Sequence, residues 1–154
     1  MTSPCDGCAA HCCTTVTFPL AVPRSVSSLD FVRFSLGFPG VEVGVGDDTW
    51  NLTIKTRCEH LRDGRCGVYG KPERPLRCSY YNEWQCTYKA DYGRPTPPSL
   101  VRIRLEQFDA LSERFEFDDQ GAVVTVPSVG TVRDQVEQQW RHARETAAVA
   151  TSLG

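Results

Sequence analysis

Long apolar runs are missing from this 154-residue chain, so no transmembrane helix is expected. The opening Met1-Thr2-Ser3-Pro4-Cys5 lacks the basic start and apolar core of a secretory signal, which points to the cytoplasm. Strong net charge is missing too. The formal value of −2 gives no global attraction to an anionic membrane, and nucleic acid is not expected as a partner. No internal repeat and no low-complexity segment is found. What remains is ordinary for a globular protein, with 40% hydrophobic and 23% charged residues. The length suits one domain with a hydrophobic core, which needs no cross-links in order to fold.

Against that background stand eight cysteines. Cys5, Cys8, Cys12 and Cys13 fall within nine residues and open with a C-x2-C pair. Such a loop lets both sulfurs converge on one point and leaves backbone N–H groups to donate to them. Cys58, Cys66, Cys78 and Cys86 follow, separated by seven, eleven and seven residues. In an oxidising compartment an even number would suggest disulfides, whereas in a reducing cytoplasm it suggests metal or redox chemistry. Adjacent Cys12 and Cys13 also disfavour local bridges, because vicinal disulfides are strained.

Between the two thiol groups, residues 14–26 mix β-formers with prolines and predict an extended connector or edge strand. Ser27 with Asp30 reads as a capping box for a short apolar helix that ends at Gly37. Residues 41–45 and 50–55 alternate around a Gly46-Asp47-Asp48-Thr49 turn, a predicted hairpin that leads into Cys58. From Cys58 to Cys86 the pattern is irregular, rich in glycine, proline and aromatics, as expected of a loop wrapped around something. A polar connector runs from Lys89 to Pro98. A strand over 101–105, a helix over 106–115, a hairpin turning at 118–121 and an amphipathic helix from Thr131 complete the chain. On that last helix Val132, Val136, Trp140, Ala143 and Ala147 are predicted to pack on the domain. The fold class read from this is α+β. It is a small single domain over 1–154, with a metal-ligand core at 5–86 and the strand, helix, hairpin and final helix at 99–150.

Four ionised thiols on one zinc carry a formal −2, and cubane iron–sulfur sites are similarly anionic. Between Lys55 and Cys78, seven basic residues face three acidic ones, a local +4, whereas residues 104–119 hold six acids against two bases. The positive stretch therefore sits on the cysteine loop, where it would lower thiol pKa values and offset an anionic centre; a solvated surface loop is the equally weighted alternative. Paired knuckles favour zinc, while irregular spacings suit iron–sulfur clusters. Soft thiolates accept zinc, iron–sulfur or Cu(I) alike, so spacing does not choose.

The motifs Cys5-x2-Cys8-x3-Cys12-Cys13, Cys58-Glu-His-Leu…Cys66-Gly-Val-Tyr69 and Arg74-Pro75-Leu-Arg-Cys78, with a last Cys86, together resemble the YkgJ-type CxxCxxCC cysteine-cluster family. The likeness runs from Cys5 to Cys86, and one additional residue lies between Cys8 and Cys12. It implies zinc or iron chelation by Cys5, Cys8, Cys12, Cys13, Cys58, Cys66, Cys78 and Cys86. Flagellin lysine N-methylases carry a similar cluster but are longer, and no glycine-rich S-adenosylmethionine loop is present here. Around the thiols, Arg62, Arg65 and Arg74 are candidates to hold an anion, and Tyr69 with Arg74-Pro75 to shape the loop. His11 and His60 are expected to donate hydrogen bonds near the centre or to be solvated, and His142 to be a surface residue. The aromatic group Tyr80, Tyr81, Trp84 and Tyr88 is expected to pack over the metal rather than to stack a partner. The acids Glu106, Asp109 and Glu113 read as a solvated helix face.

The function read from sequence is a metal-binding protein that holds zinc or an iron–sulfur centre in a structural or redox role. Two alternatives are an iron–sulfur enzyme of electron transfer or of protein or small-molecule modification, and a zinc-built interaction module with an unidentified protein or small-molecule partner.

Overall fold

The computed structural model describes residues 10–81 and 100–152, with residues 147–152 by their backbone alone. The sequence reads as one domain, whereas the chain forms two compact units. One comprises Met1–Thr17 with Ile54–Pro98, the other Phe18–Thr53 with Ser99–Gly154. Helices and antiparallel strands are both present, and the fold is α+β. No helix among the described residues is long and apolar enough to cross a membrane.

In chain order the elements begin with α1 (His11–Thr14), β1 (Thr15–Leu20), α2 (Val26–Leu36), β2 (Val41–Val45) and β3 (Trp50–Lys55). There follow β4 (Leu61–Arg62), β5 (Arg65–Cys66), α3 (Leu76–Ser79), β6 (Val101–Ile103) and α4 (Leu105–Ser112). The chain continues with β7 (Glu116–Phe117), β8 (Val123–Thr125) and α5 (Val129–Ser152). The main sheet has the order β1-β3-β2-β6, so proline-bearing β1 lies at an edge as its composition predicts. β6 pairs antiparallel with β2, Val43 facing Ile103 and Val45 facing Val101.

Residues 41–45 alternate in type, yet all five residues of β2 are buried. The reason is its central place between β3 and β6, with α2 packed on it. Glu42 is kept inside by Arg104, whose guanidinium donates to its carboxylate at 2.8 Å and 3.0 Å. Gly44 leaves room that Asn51 and Leu100 side chains fill. The core of this unit joins Val32 of α2, Val43 and Val45 of β2, Phe108 and Leu111 of α4 and Val132 of α5, all essentially inaccessible. Trp50 meets Phe115 edge to face, with ring centroids 6.4 Å apart.

Both helix starts differ from the sequence reading in the same way. α2 is capped by Ser25, whose Oγ accepts the Ser28 N–H at 3.1 Å while Ser28 Oγ accepts the Ser25 N–H at 2.9 Å. The predicted Ser27–Asp30 box loses because β8 fixes the chain earlier: Val26 N–H donates to Gly121 and Val123 N–H to Arg24. α5 begins at Val129 rather than Thr131. Ser128 Oγ accepts the Thr131 N–H at 3.2 Å, and Asp47 accepts the Val129 N–H at 2.9 Å. The hairpin at 118–121 forms as predicted, with Asp118 accepting from Gln120 and Ala122 N–H and Gly121 at φ 79.

Candidate metal centre

In the first unit the described cysteines are Cys12, Cys13, Cys58, Cys66 and Cys78; Cys5, Cys8 and Cys86 lie outside the described residues. The short helix α1 carries Cys12 and Cys13 and starts after Ala10, whose backbone is left-handed at φ 56. Cys13 N–H closes that turn on Ala10 C=O at 2.8 Å. The segment then lies against the middle of the chain. Thr56 N–H donates to Thr14 C=O at 2.9 Å, and Cys58 N–H to Cys13 C=O at 2.7 Å. Two backbone hydrogen bonds thus register one cysteine group on the other across more than forty residues of sequence.

Cys66 is returned to Cys58 by the β4–β5 hairpin. Its two-residue turn, Asp63-Gly64, has φ 48 and 74, the paired positive values that match strand twist. Leu61 pairs with Cys66, Leu61 N–H donates to Cys58 C=O at 3.0 Å, and Gly67 N–H donates to His60 C=O at 2.8 Å. The sequence reading of 58–86 as patternless missed this element, although Asp-Gly between Leu61-Arg62 and Arg65-Cys66 is the signal for it.

The thiols sense each other. Burial pushes the Cys13 thiol from 9.0 up to about 12, reinforced by Cys12 through its charge and a hydrogen bond, then by Cys58 and Cys66. Cys12, Cys58 and Cys66 therefore lie near enough to Cys13 for their charges to act on its thiol. Cys13, Cys58 and Cys66 are half-buried and Cys12 is exposed; none of the five described cysteines is in a disulfide. Cys78 adds nothing to the field at Cys13 and sits exposed on α3. Among the described residues no three His, Cys, Asp or Glu side chains already converge tightly enough to grip an ion, so these thiols are neighbours and not a closed cage.

The surrounding candidates have definite places. The Arg74 guanidinium lies 4.3 Å from the centre of the Tyr69 ring, which ties the Arg74-Pro75 turn to the segment after Cys66. Pro75 starts the turn of α3, accepting the Cys78 N–H at 2.9 Å. Arg62 Nη1 donates to the carbonyls of Glu59 and Leu61 and so braces the hairpin from outside. Arg65 is exposed on β5, and His60 is exposed while His11 is half-buried. Tyr80 is exposed and Tyr81 half-buried; Trp84 and Tyr88, predicted to cover the centre with them, lie outside the described residues.

The chain matches no protein-family model, no curated protein and no solved structure.

The donor set itself fits a soft cation. A cluster of thiols that repel one another when ionised is the arrangement a bound cation reverses, turning repulsion into ligation. Among the described residues from Ile54 to Tyr81 only Leu61 is buried. The acids Glu106, Asp109 and Glu113 belong to the other unit. There Asp109 pairs with Arg33 at 2.7 Å, both groups solvated, which accords with a solvated helix face.

Proposed function

We propose that this chain is a cysteine-ligated metal protein, holding zinc or an iron–sulfur centre with Cys12, Cys13, Cys58 and Cys66 as one group of ligands. Cys5, Cys8, Cys78 and Cys86 are the remaining donors, enough for a second site or for exchange with the first. The observation that carries the reading is the Cys58-to-Cys13 backbone bond, together with the nearness of Cys12, Cys58 and Cys66 to the Cys13 thiol. Three further features support it. The YkgJ-type resemblance covers these same residues. The local +4 of residues 55–78 would offset an anionic centre. Among the described residues from 54 to 81 Leu61 is the one buried apolar side chain, and a metal would cross-link that stretch.

Zinc would knit head and middle of the unit together without redox chemistry; an iron–sulfur centre would add one-electron transfer. The Arg62 contacts to Glu59 and Leu61 carbonyls and the Arg74–Tyr69 stack would hold the loops that present Cys58, Cys66 and Cys78. A reducing cytoplasm, where thiols persist, is the location that suits this chemistry. Metal analysis and absorption spectra of anaerobically purified protein test it. Stoichiometric zinc in colourless protein, or iron with sulfide in brown protein, is the expected result. Metal-free protein that takes up neither after reconstitution refutes it, as does full metal content in both Cys13→Ser and Cys66→Ser.

A further inference from the structure

Helix α5 is longer than its own unit uses. It has 24 residues, about 36 Å at the usual rise. Among its described side chains, the buried ones lie in the first turns. Val129, Val132 and Gln135 are buried, and Gln135 donates to Gln107 C=O at 3.0 Å. From Trp140 through Thr146 every side chain is exposed. The sequence predicts Trp140 and Ala143 in the interface with the domain, but Trp140 is 60% exposed and Ala143 is exposed too. Two clefts of about 350 and 330 Å³ flank the indole. One is lined by Glu106 and Gln107 of α4 with Gln139, Ala143 and Arg144, the other by Val136, Glu137, Arg141 and Arg144. A large aromatic on an otherwise polar helix, rimmed by opposite charges, has the anatomy of an interface anchor.

We infer that two copies of the chain pair antiparallel through the outer face of α5, centred on Trp140. The occupant follows from charge order. Val136, Trp140 and Ala143 fall on one stripe with 4- and 3-residue spacing, and Glu137 and Arg144 follow Val136 and Ala143 by one residue, seven apart on the same edge. In an antiparallel pair like edges meet. Glu137 of each copy then opposes Arg144 of the other, and two ion pairs form by symmetry. A parallel pair would set Arg144 beside Gln139 and gain none. The antiparallel register also lays Trp140 of one copy on Ala143 of the other, large against small. Trp contributes about 150–250 Å² per copy, about 300–500 Å² for the pair against the roughly 1,200 Å² of stable interfaces, so a weak dimer with a dissociation constant on the order of 10–100 µM is expected. This inference does not depend on the metal centre.

Sedimentation velocity of the full chain from about 1 to about 200 µM tests it. The expected result is a reversible monomer–dimer equilibrium. Trp140→Ala should abolish the dimer over that range, and Glu137→Arg or Arg144→Glu should each weaken it tenfold or more. The double exchange E137R/R144E should return it to within a few-fold of the natural chain, since the pairs re-form with reversed sign. These side chains are exposed, and circular dichroism confirms that each variant folds. A chain monomeric at every concentration, a dimer unaffected by Trp140→Ala, or a double exchange as weak as the single ones overturns the proposal.

Discussion

Replacing Gly64 tests what the β4–β5 hairpin would contribute to the proposed metal binding. Gly64 stands at φ +74, and nothing lies within 4 Å of the place a Cβ would occupy. Gly64→Ala therefore adds no clash. Its cost is the left-handed backbone alone, about 1–2 kcal/mol for a residue with a Cβ. Strands of two residues are marginal by themselves, so the metal-free chain can escape that strain by letting the hairpin open. The metal-bound chain cannot, if Cys66 is held through its pairing with Leu61. The strain should then appear as weakened affinity, about 5–30-fold for Gly64→Ala. Gly64→Val should cost more, because a β-branched residue suits that region worst, and Gly64→Asn less, because asparagine tolerates it. Competition against a chromophoric chelator, run on all four proteins with whichever metal is found, reads the series. Equal affinities for glycine and alanine, with the hairpin intact by amide exchange, would show that Cys66 is not a ligand placed by this turn.

Ser25→Ala should cost about 1 kcal/mol by removing the Oγ that caps α2, seen as a modest fall in thermal midpoint with the fold preserved. Phe108→Ala, in a fully buried position, should cost about 3–5 kcal/mol by urea unfolding. In metal-free protein Cys13 favours its protonated form when folded. Its contribution to stability is complete below the ordinary thiol value of 9.0 and is lost as pH rises from there toward about 12. Urea midpoints of natural and Cys13→Ser chains should therefore diverge less above pH 9 than below it; a gap that widens with alkalinity contradicts the sign. Chelation of the metal should speed amide exchange across residues 54–81 while amides of Val43, Leu111 and Val132 stay protected. Uniform loss of protection would mean that the metal supports both units equally.

The α+β class and most elements are legible in the sequence because period and turn chemistry are local. Asp118 and Gly121 announce their hairpin wherever the rest of the chain goes. Positions set by tertiary bonds are not legible in this way. Ser25, Ser27 and Ser28 are equivalent as caps by sequence, and the backbone bonds of Val26 to Gly121 and of Val123 to Arg24 decide among them. The same applies to β2, whose alternation conceals that both faces are covered. At the thiol group, residue types and spacing point to sulfur chemistry. The juxtaposition of Cys13 with Cys58 rests on two carbonyl bonds that any residues could make, so no residue pattern encodes it. The two units were hidden for a related reason. Each is assembled from two separate stretches, so neither presents a boundary to a reader moving along the chain.

The proposed metal would account for the charge pattern and for the sparse burial among the described residues 54–81 together. Seven cations between Lys55 and Cys78 face only three acids, and all of these groups are exposed except half-buried Arg74. Without a compensating anion they repel across a loop that has Leu61 as its one buried apolar side chain between residues 54 and 81. Protonated thiols offer no charge to balance them. A soft metal changes both conditions together, since ligation needs ionised sulfur and a four-thiolate centre leaves a net negative charge among those cations. In the proposed metal-bound state the neighbouring thiolate charges, which add to burial in raising the Cys13 thiol, would be neutralised by the ion, and the surplus of arginine and lysine would serve as its counter-charge. On this reasoning salt should stabilise the metal-free unit by screening its cations and do less for the metal-bound one, where opposite charges already balance.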